Sequence, residues 1–282
     1  MLVVLSLVGA IGIGLGWVLQ HRAVDPAVTG SKDQSLFALM RRRVWWGGIA
    51  AMAVGQTCTG IALQFGPLPV VAPIAATNLL WAFAVRAFLL RHRPPAWDVV
   101  AALLFAAAVG GFVFVGGGHV TQGHHPAGLV VSVVVTGGVA VMAGVLLLAG
   151  VPFGPAVASV AAALAAGLLY ALQDVGTRGA MILLQRDGLV RMLVSVWPYL
   201  LLASATVAVL FTQRAFRTAR LDFAVPPIAV AQPVLGVVLG VLLLDDALSV
   251  TRGALAVEAA CTAVLVGSTV RLARSRVLAG ED

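Results

Sequence analysis

The residue with most chemistry to offer is an acid inside an apolar stretch. Eleven acidic residues occur in the chain, and Glu258 alone falls deep within such a run, at 250–271. If that run is helical, Glu258 lies roughly 13 Å from its end, close to mid-bilayer. A charge there costs at least about 2.5 kcal/mol unless it is paired, protonated or wet. Glu258 therefore reads as a protonatable coupling residue. The plainer alternative is a neutral carboxyl hydrogen-bonded across helices, with Cys261 and Thr262 on its own face.

Asp174 comes second. Tyr170, Gln173, Asp174 and Thr177 share one helical face at i, i+3, i+4 and i+7. Arg178 follows four residues on, so a local ion pair is the ordinary reading and substrate contact the sharper one. Uncharged polar residues also collect at middle depth: Gln56 and Thr59 with Gly60, Asn78 with Trp81, and Gln232 before Pro233. Pro73 and Pro233 each remove a helix bond and free a carbonyl one turn back, at Pro69 and Ala229. Inside a bundle such groups line a cavity; otherwise the polar side chains join helices. The substrate-binding candidates are Gln56, Thr59, Asn78, Trp81, Tyr170, Asp174 and Gln232, with Pro73 and Pro233 as helix breaks.

His119, His124 and His125 lie in a Gly-rich loop and read as solvated rather than as a metal site. No nucleophile elbow, phosphate loop or metal-protease motif occurs, so neither an enzyme nor a cofactor is expected. Cys58 and Cys261 fall within apolar runs and read as small buried residues.

The elements that must hold these residues follow from composition. Of 282 residues 61% are apolar and 10% charged, with a mean hydropathy of +1.03; a soluble domain is about a quarter charged. At about 20 residues per span, the chain has room for nine or ten. The runs are continuous rather than alternating, which favours helices over a barrel. The fold class is all-α, a polytopic membrane bundle of about nine spans. They are expected near 2–20, 44–65, 67–90, 97–117, 127–149, 154–175, 190–212, 223–244 and 250–271, with a short interfacial helix near 35–40. The first run reads as a retained span rather than a cleaved leader.

Seventeen of the 18 basic residues are Arg, and they orient the bundle. Thirteen fall in the loops after spans 1, 3 and 7 and after span 9, against four on the other side. By the positive-inside rule the C-terminus is cytoplasmic and the N-terminus outside, in a multi-pass plasma (inner) membrane protein. The same rule accounts for the net charge of +7 without a nucleic-acid partner. Arg86 is expected to snorkel to the cytoplasmic surface.

Two internal matches suggest a repeat. Gly14-Leu-Gly-Trp-Val-Leu-Gln20 resembles Gly167-Leu-Leu-Tyr-Ala-Leu-Gln173 at an offset of 153, and Pro67-x-x-Val70-x-x-Pro73 resembles Pro227-x-x-Val230-x-x-Pro233 at 160. Both displacements are five spans, an odd number, which implies two inverted repeats with a site between them. The division expected is 1–120, a linking span in 121–150, and 151–282. Gly12-x-x-x-Gly16 and Gly236-x-x-x-Gly240 read as close helix packing.

The stretches 60–73 and 228–245, with Asp245 and Asp246 closing a span before a Gly-containing last helix, resemble the drug/metabolite transporter superfamily. More narrowly they are similar to its EamA-type and actinobacterial NIPA-like branches. Members of that superfamily usually have ten helices, and nine fits the NIPA-like branch. The function expected is a secondary transporter of a small organic solute, a metabolite or drug-like compound. Proton-coupled export fits, with Trp17, Trp81, Tyr170 and Trp197 as aromatic faces for a cation. The alternatives are magnesium or another divalent cation, as the NIPA-like resemblance implies, and a non-transporting lipid-handling or scaffold protein. The partners expected are a small-molecule substrate and the bilayer; a homodimer is left open.

Overall fold

A computed structural model of the chain describes residues 1–24, 36–66, 68–90, 95–117, 120–121, 127–218, 221–245, 247–248 and 252–273. The described residues form α1 (Leu2–Val24), α2 (Leu36–Met40), α3 (Arg43–Ala62), α4 (Leu68–Ala75), α5 (Asn78–Leu90), α6 (Ala96–Gly117) and α7 (Leu129–Gly150). A short 3-10 turn then leads into α8 (Pro155–Val194), α9 (Trp197–Thr218), α10 (Leu221–Leu244) and α11 (Arg252–Ala273). Two-residue strands β1 (Val120–Thr121) and β2 (Ala247–Leu248) form one antiparallel pair. Five of the described helices, α1, α7, α8, α9 and α10, are long and apolar enough to cross a membrane, and three shorter apolar helices lie in α5, α6 and α11. The chain is an all-helical polytopic bundle.

The seventh span, expected at 190–212, runs Trp197–Thr218, and two others differ more deeply. The third breaks at Ala76–Thr77, where the Thr77 hydroxyl caps the Ile74 carbonyl at 2.7 Å and α5 starts afresh. The sixth runs past its expected end at 175, because the polar face of Gln173, Thr177 and Arg178 is buried instead of becoming a loop. Its helical geometry is interrupted at Gly188, with φ +81°, a conformation that glycine adopts without steric cost.

The same packing relations occur twice. α1 packs on α3 as α8 packs on α9; α1 meets α5 as α8 meets α10; α1 touches α9 as α8 touches α3. Helices α8, α9, α10 and α11 begin 153, 154, 153 and 156 residues after α1, α3, α4 and α6. This register agrees with the match at 153, whereas the proline match at 160 pairs the same two spans seven residues, just under two turns, out of step.

Glycines set the α1–α3 distance. A Cβ on Gly12 would stand 2.9 Å from both the Ala51 carbonyl oxygen and Gly55 Cα, and one on Gly16 would stand 2.8 Å from the Gly48 oxygen. Both are main-chain obstacles, so only glycine fits. Gly14 faces α5 in the same way, a Cβ there standing 2.8 Å from Ala82 N, and Gly167, 153 residues on, meets α10 with a Cβ 3.1 Å from the Ile228 oxygen. At the edge, Arg271 in the last turn of α11 pairs with Asp98 in the first turn of α6 at 3.1 Å. Each charge also opposes the dipole of its own helix end.

Candidate functional site

Three helices distant in sequence bring part of the polar set together. Asp174, midway along α8 and 3% exposed, accepts a hydrogen bond from Gln232 Nε2 of α10 at 2.7 Å. Gln56 of α3 lies beside this pair, and its Oε1 is buried with no hydrogen-bond partner among the described residues. A charge at the bilayer centre costs about 2.5–3.5 kcal/mol on insertion scales. A hydrogen bond to a charged group returns about 1.5–3 kcal/mol, so the Gln232 amide offsets a large part of it. The local ion pair expected with Arg178 is not what Asp174 makes. Arg178 Nη1 instead donates to the Leu63 carbonyl at the C-terminal end of α3.

Gln56 and Gln232 also line a cavity with Ile13, Trp17, Met52 and Tyr170, about 200 Å³ with its mouth included. Its enclosed part is small, with room for about one ordered water. Asp174 stands behind the two amides. Because Gln232 turns its nitrogen to the carboxylate, the oxygen end of its amide dipole is directed away from Asp174. A buried carboxylate thereby polarises acceptor groups beside the cavity.

The opposite wall is aromatic. Tyr170 Oη lies 3.2 Å from Thr212 Oγ1 of α9, and Trp17 lines the same cavity. At the offset of 153, Trp17 and Tyr170 occupy the same position of the repeat, so the cavity straddles the place where the repeated units meet. Beyond it, Gln213 Nε2 donates to Gln20 Oε1, and Gln20 Nε2 contacts Met52 Sδ at 2.7 Å. Further on, Arg86 Nη1 is 3.5 Å from His21 Nδ1, and His21 stacks edge-on to Phe216. Arg86 is thus buried, 8% exposed, rather than snorkelling.

The remaining candidates fall elsewhere. Thr59 is buried, bonded to the Gly55 carbonyl at 3.1 Å and packed against Gly9 of α1. Asn78, the first residue of α5, is 1% exposed and neither side-chain polar atom has a partner among the described residues. Trp81 packs by its Cβ against Gly14. Pro73 falls within α4 and Glu258 within α11, but the side chains of both lie outside the described residues. Pro233 is partly buried within an unbroken α10. His119, His124 and His125 lie outside the described residues. Among the described residues no group of three or more His, Cys, Asp or Glu could hold a metal. The polar residues that sequence reasoning missed are Gln20, Thr212 and Gln213. They read as the ends of spans closing at 20 and 212, whereas the helices run on to Val24 and Thr218.

The profile of the family described as Magnesium transporter NIPA matches residues 1–150. An uncharacterized protein of Corynebacterium glutamicum is 26% identical over 278 residues, covering 98% of this chain and 96% of the relative. No solved structure matches. With the profile spanning more than half of its length, the chain belongs to the NIPA magnesium transporter family and is a membrane transporter.

Proposed function

We propose that the chain carries a cation, magnesium in the first instance, through the seam between two inverted repeats by alternating access. The observation that carries this reading is Asp174: a carboxylate 3% exposed, held by Gln232, which lines the cavity together with Gln56. Magnesium is bound through one or two carboxylates while keeping several waters. The cavity, with room for about one water, widens to take such an ion; Gln56 and Gln232 then replace part of its hydration, with Asp174 supplying the balancing charge. The protein works in the plasma membrane with its N-terminus outside and its C-terminus in the cytoplasm.

Proteoliposomes containing a magnesium-sensitive dye test the reading. The wild type should admit magnesium faster than empty vesicles, and Asp174→Asn should reduce the rate at least about tenfold, the equivalent of 1.4 kcal/mol. Wild-type vesicles no faster than empty ones would sink it.

A second reading, an organic cation exported in exchange for protons, is favoured by the aromatic faces of Trp17 and Tyr170 at the cavity. Glu258 of α11 is then the coupling carboxyl. On that reading organic cations, and not magnesium, cross the vesicle membrane under a pH gradient, and Glu258→Gln abolishes the dependence on that gradient.

A further inference from the structure

Two residues that line the cavity each carry a polar atom the protein leaves unmet. Trp17 of α1 is 0% exposed, and its Nε1 has no hydrogen-bond partner among the described residues. Gln56 of α3 leaves its Oε1 in the same condition. The cavity is the open space that the two residues share, and its enclosed part has room for about one ordered water. One of the two atoms can only donate and the other can only accept. Tyr170, at the equivalent position of the repeat, differs: its Oη lies 3.2 Å from Thr212 Oγ1. The second half thus supplies its aromatic residue with a partner, and the first half leaves Trp17 without one among the described residues.

A buried donor left unmet is costly, and a bare cation cannot meet it. The N–H dipole turns its positive end outward, so a metal ion set against it is repelled. A water molecule suits both atoms. Its oxygen accepts from Trp17 Nε1, one hydrogen goes to Gln56 Oε1, and a lone pair remains for a cation. Gln56 Oε1 keeps a second lone pair for the ion itself. Magnesium gives up its waters reluctantly and keeps several of them in protein sites, whereas calcium takes more oxygens in a more flexible geometry. We propose that Trp17 is a specificity residue, whose N–H holds one of the waters that the cation keeps, so that the site favours magnesium over calcium. This rests on the cation reading above, in which Gln232 and Asp174 keep their parts.

The full chain in proteoliposomes, loaded in turn with a magnesium-sensitive and a calcium-sensitive dye, gives both uptake rates. Trp17→Phe keeps an aromatic ring in place and removes the N–H. It should lower the magnesium-to-calcium ratio of the rates at least about tenfold, the scale of one hydrogen bond to a charged group. A ratio within about threefold of wild type overturns the proposal, whether both rates hold or both fall together. Should Trp17→Phe fail to fold, the benzothiophene analogue of tryptophan at position 17 decides on the same two outcomes. It sets sulfur in place of the N–H and keeps nearly the same shape, so a purely structural tryptophan would leave the ratio unmoved. Wild-type vesicles that admit neither ion reject the cation reading and this inference with it. That outcome is distinct from an unchanged ratio in a variant of a working carrier.

Discussion

Asp174 and Gln232 are 58 residues apart, and their hydrogen bond joins α8 to α10 through the middle of the bundle. Removing one partner of a buried pair costs more than removing both, because the remaining polar group is left desolvated. Gln232→Leu should therefore lower stability by about 1–3 kcal/mol, read from thermal unfolding in detergent. Adding Asp174→Leu should recover most of that loss. A double variant as unstable as the sum of the two single ones would show that the pair does not act as a unit. The types of these residues were legible in the chain, but the depth of Asp174 was not: it reads as the outer end of a span closing at 175 and lies midway along α8. Nor was their partnership: helical spacing alone paired Asp174 with Arg178, its neighbour one turn on. Spacing along one helix sees only i, i+3 and i+4 contacts, and both residues found better acceptors or donors on other helices.

Helix packing separates two kinds of glycine that read alike in the chain. Gly12 of α1 faces the main chain of α3 within 2.9 Å, whereas nothing lies within 4 Å of a Cβ placed on Gly137 of α7. Gly12→Ala should destabilise by about 1–3 kcal/mol, since main chain cannot move aside as a side chain can. Gly137→Ala should be neutral or stabilising by up to about 1 kcal/mol, from the better helix propensity of Ala. Unfolding in detergent compares the two directly, and equal effects would refute the packing argument. The Gly12-x-x-x-Gly16 spacing announced close packing, although not the partner helix. The end of the sixth span was misplaced because Asp174, Thr177 and Arg178 look like loop residues until α3 and α10 are seen to cover them.

At the scale of the whole molecule, one register near 153 relates the helix starts of the two parts of the chain. It places Trp17 and Tyr170, both at the cavity, in equivalent positions. The short match around Gly14 carried the correct register, and the longer-looking proline pattern did not. The charge asymmetry adds an expectation about orientation, since thirteen basic residues fall on one side against four. A reporter active only in the cytoplasm should be active when fused to the C-terminus, and one active only outside should be silent there. The reverse result would invert the topology and the direction assigned to every loop.

The sequence by itself determined that the chain is a membrane bundle, roughly where its spans lie, and that few of its polar residues lie deep. It could do so because the bilayer sets span length and makes each buried charge conspicuous. Only the tertiary structure decided that Gln56, Asp174 and Gln232 form one constellation, and that Arg178 closes the seam between α3 and α8. Those outcomes depend on which helices touch and at what height. Between helices far apart in the chain, that is set by interhelical packing and hydrogen bonding, which leave no periodicity in the sequence.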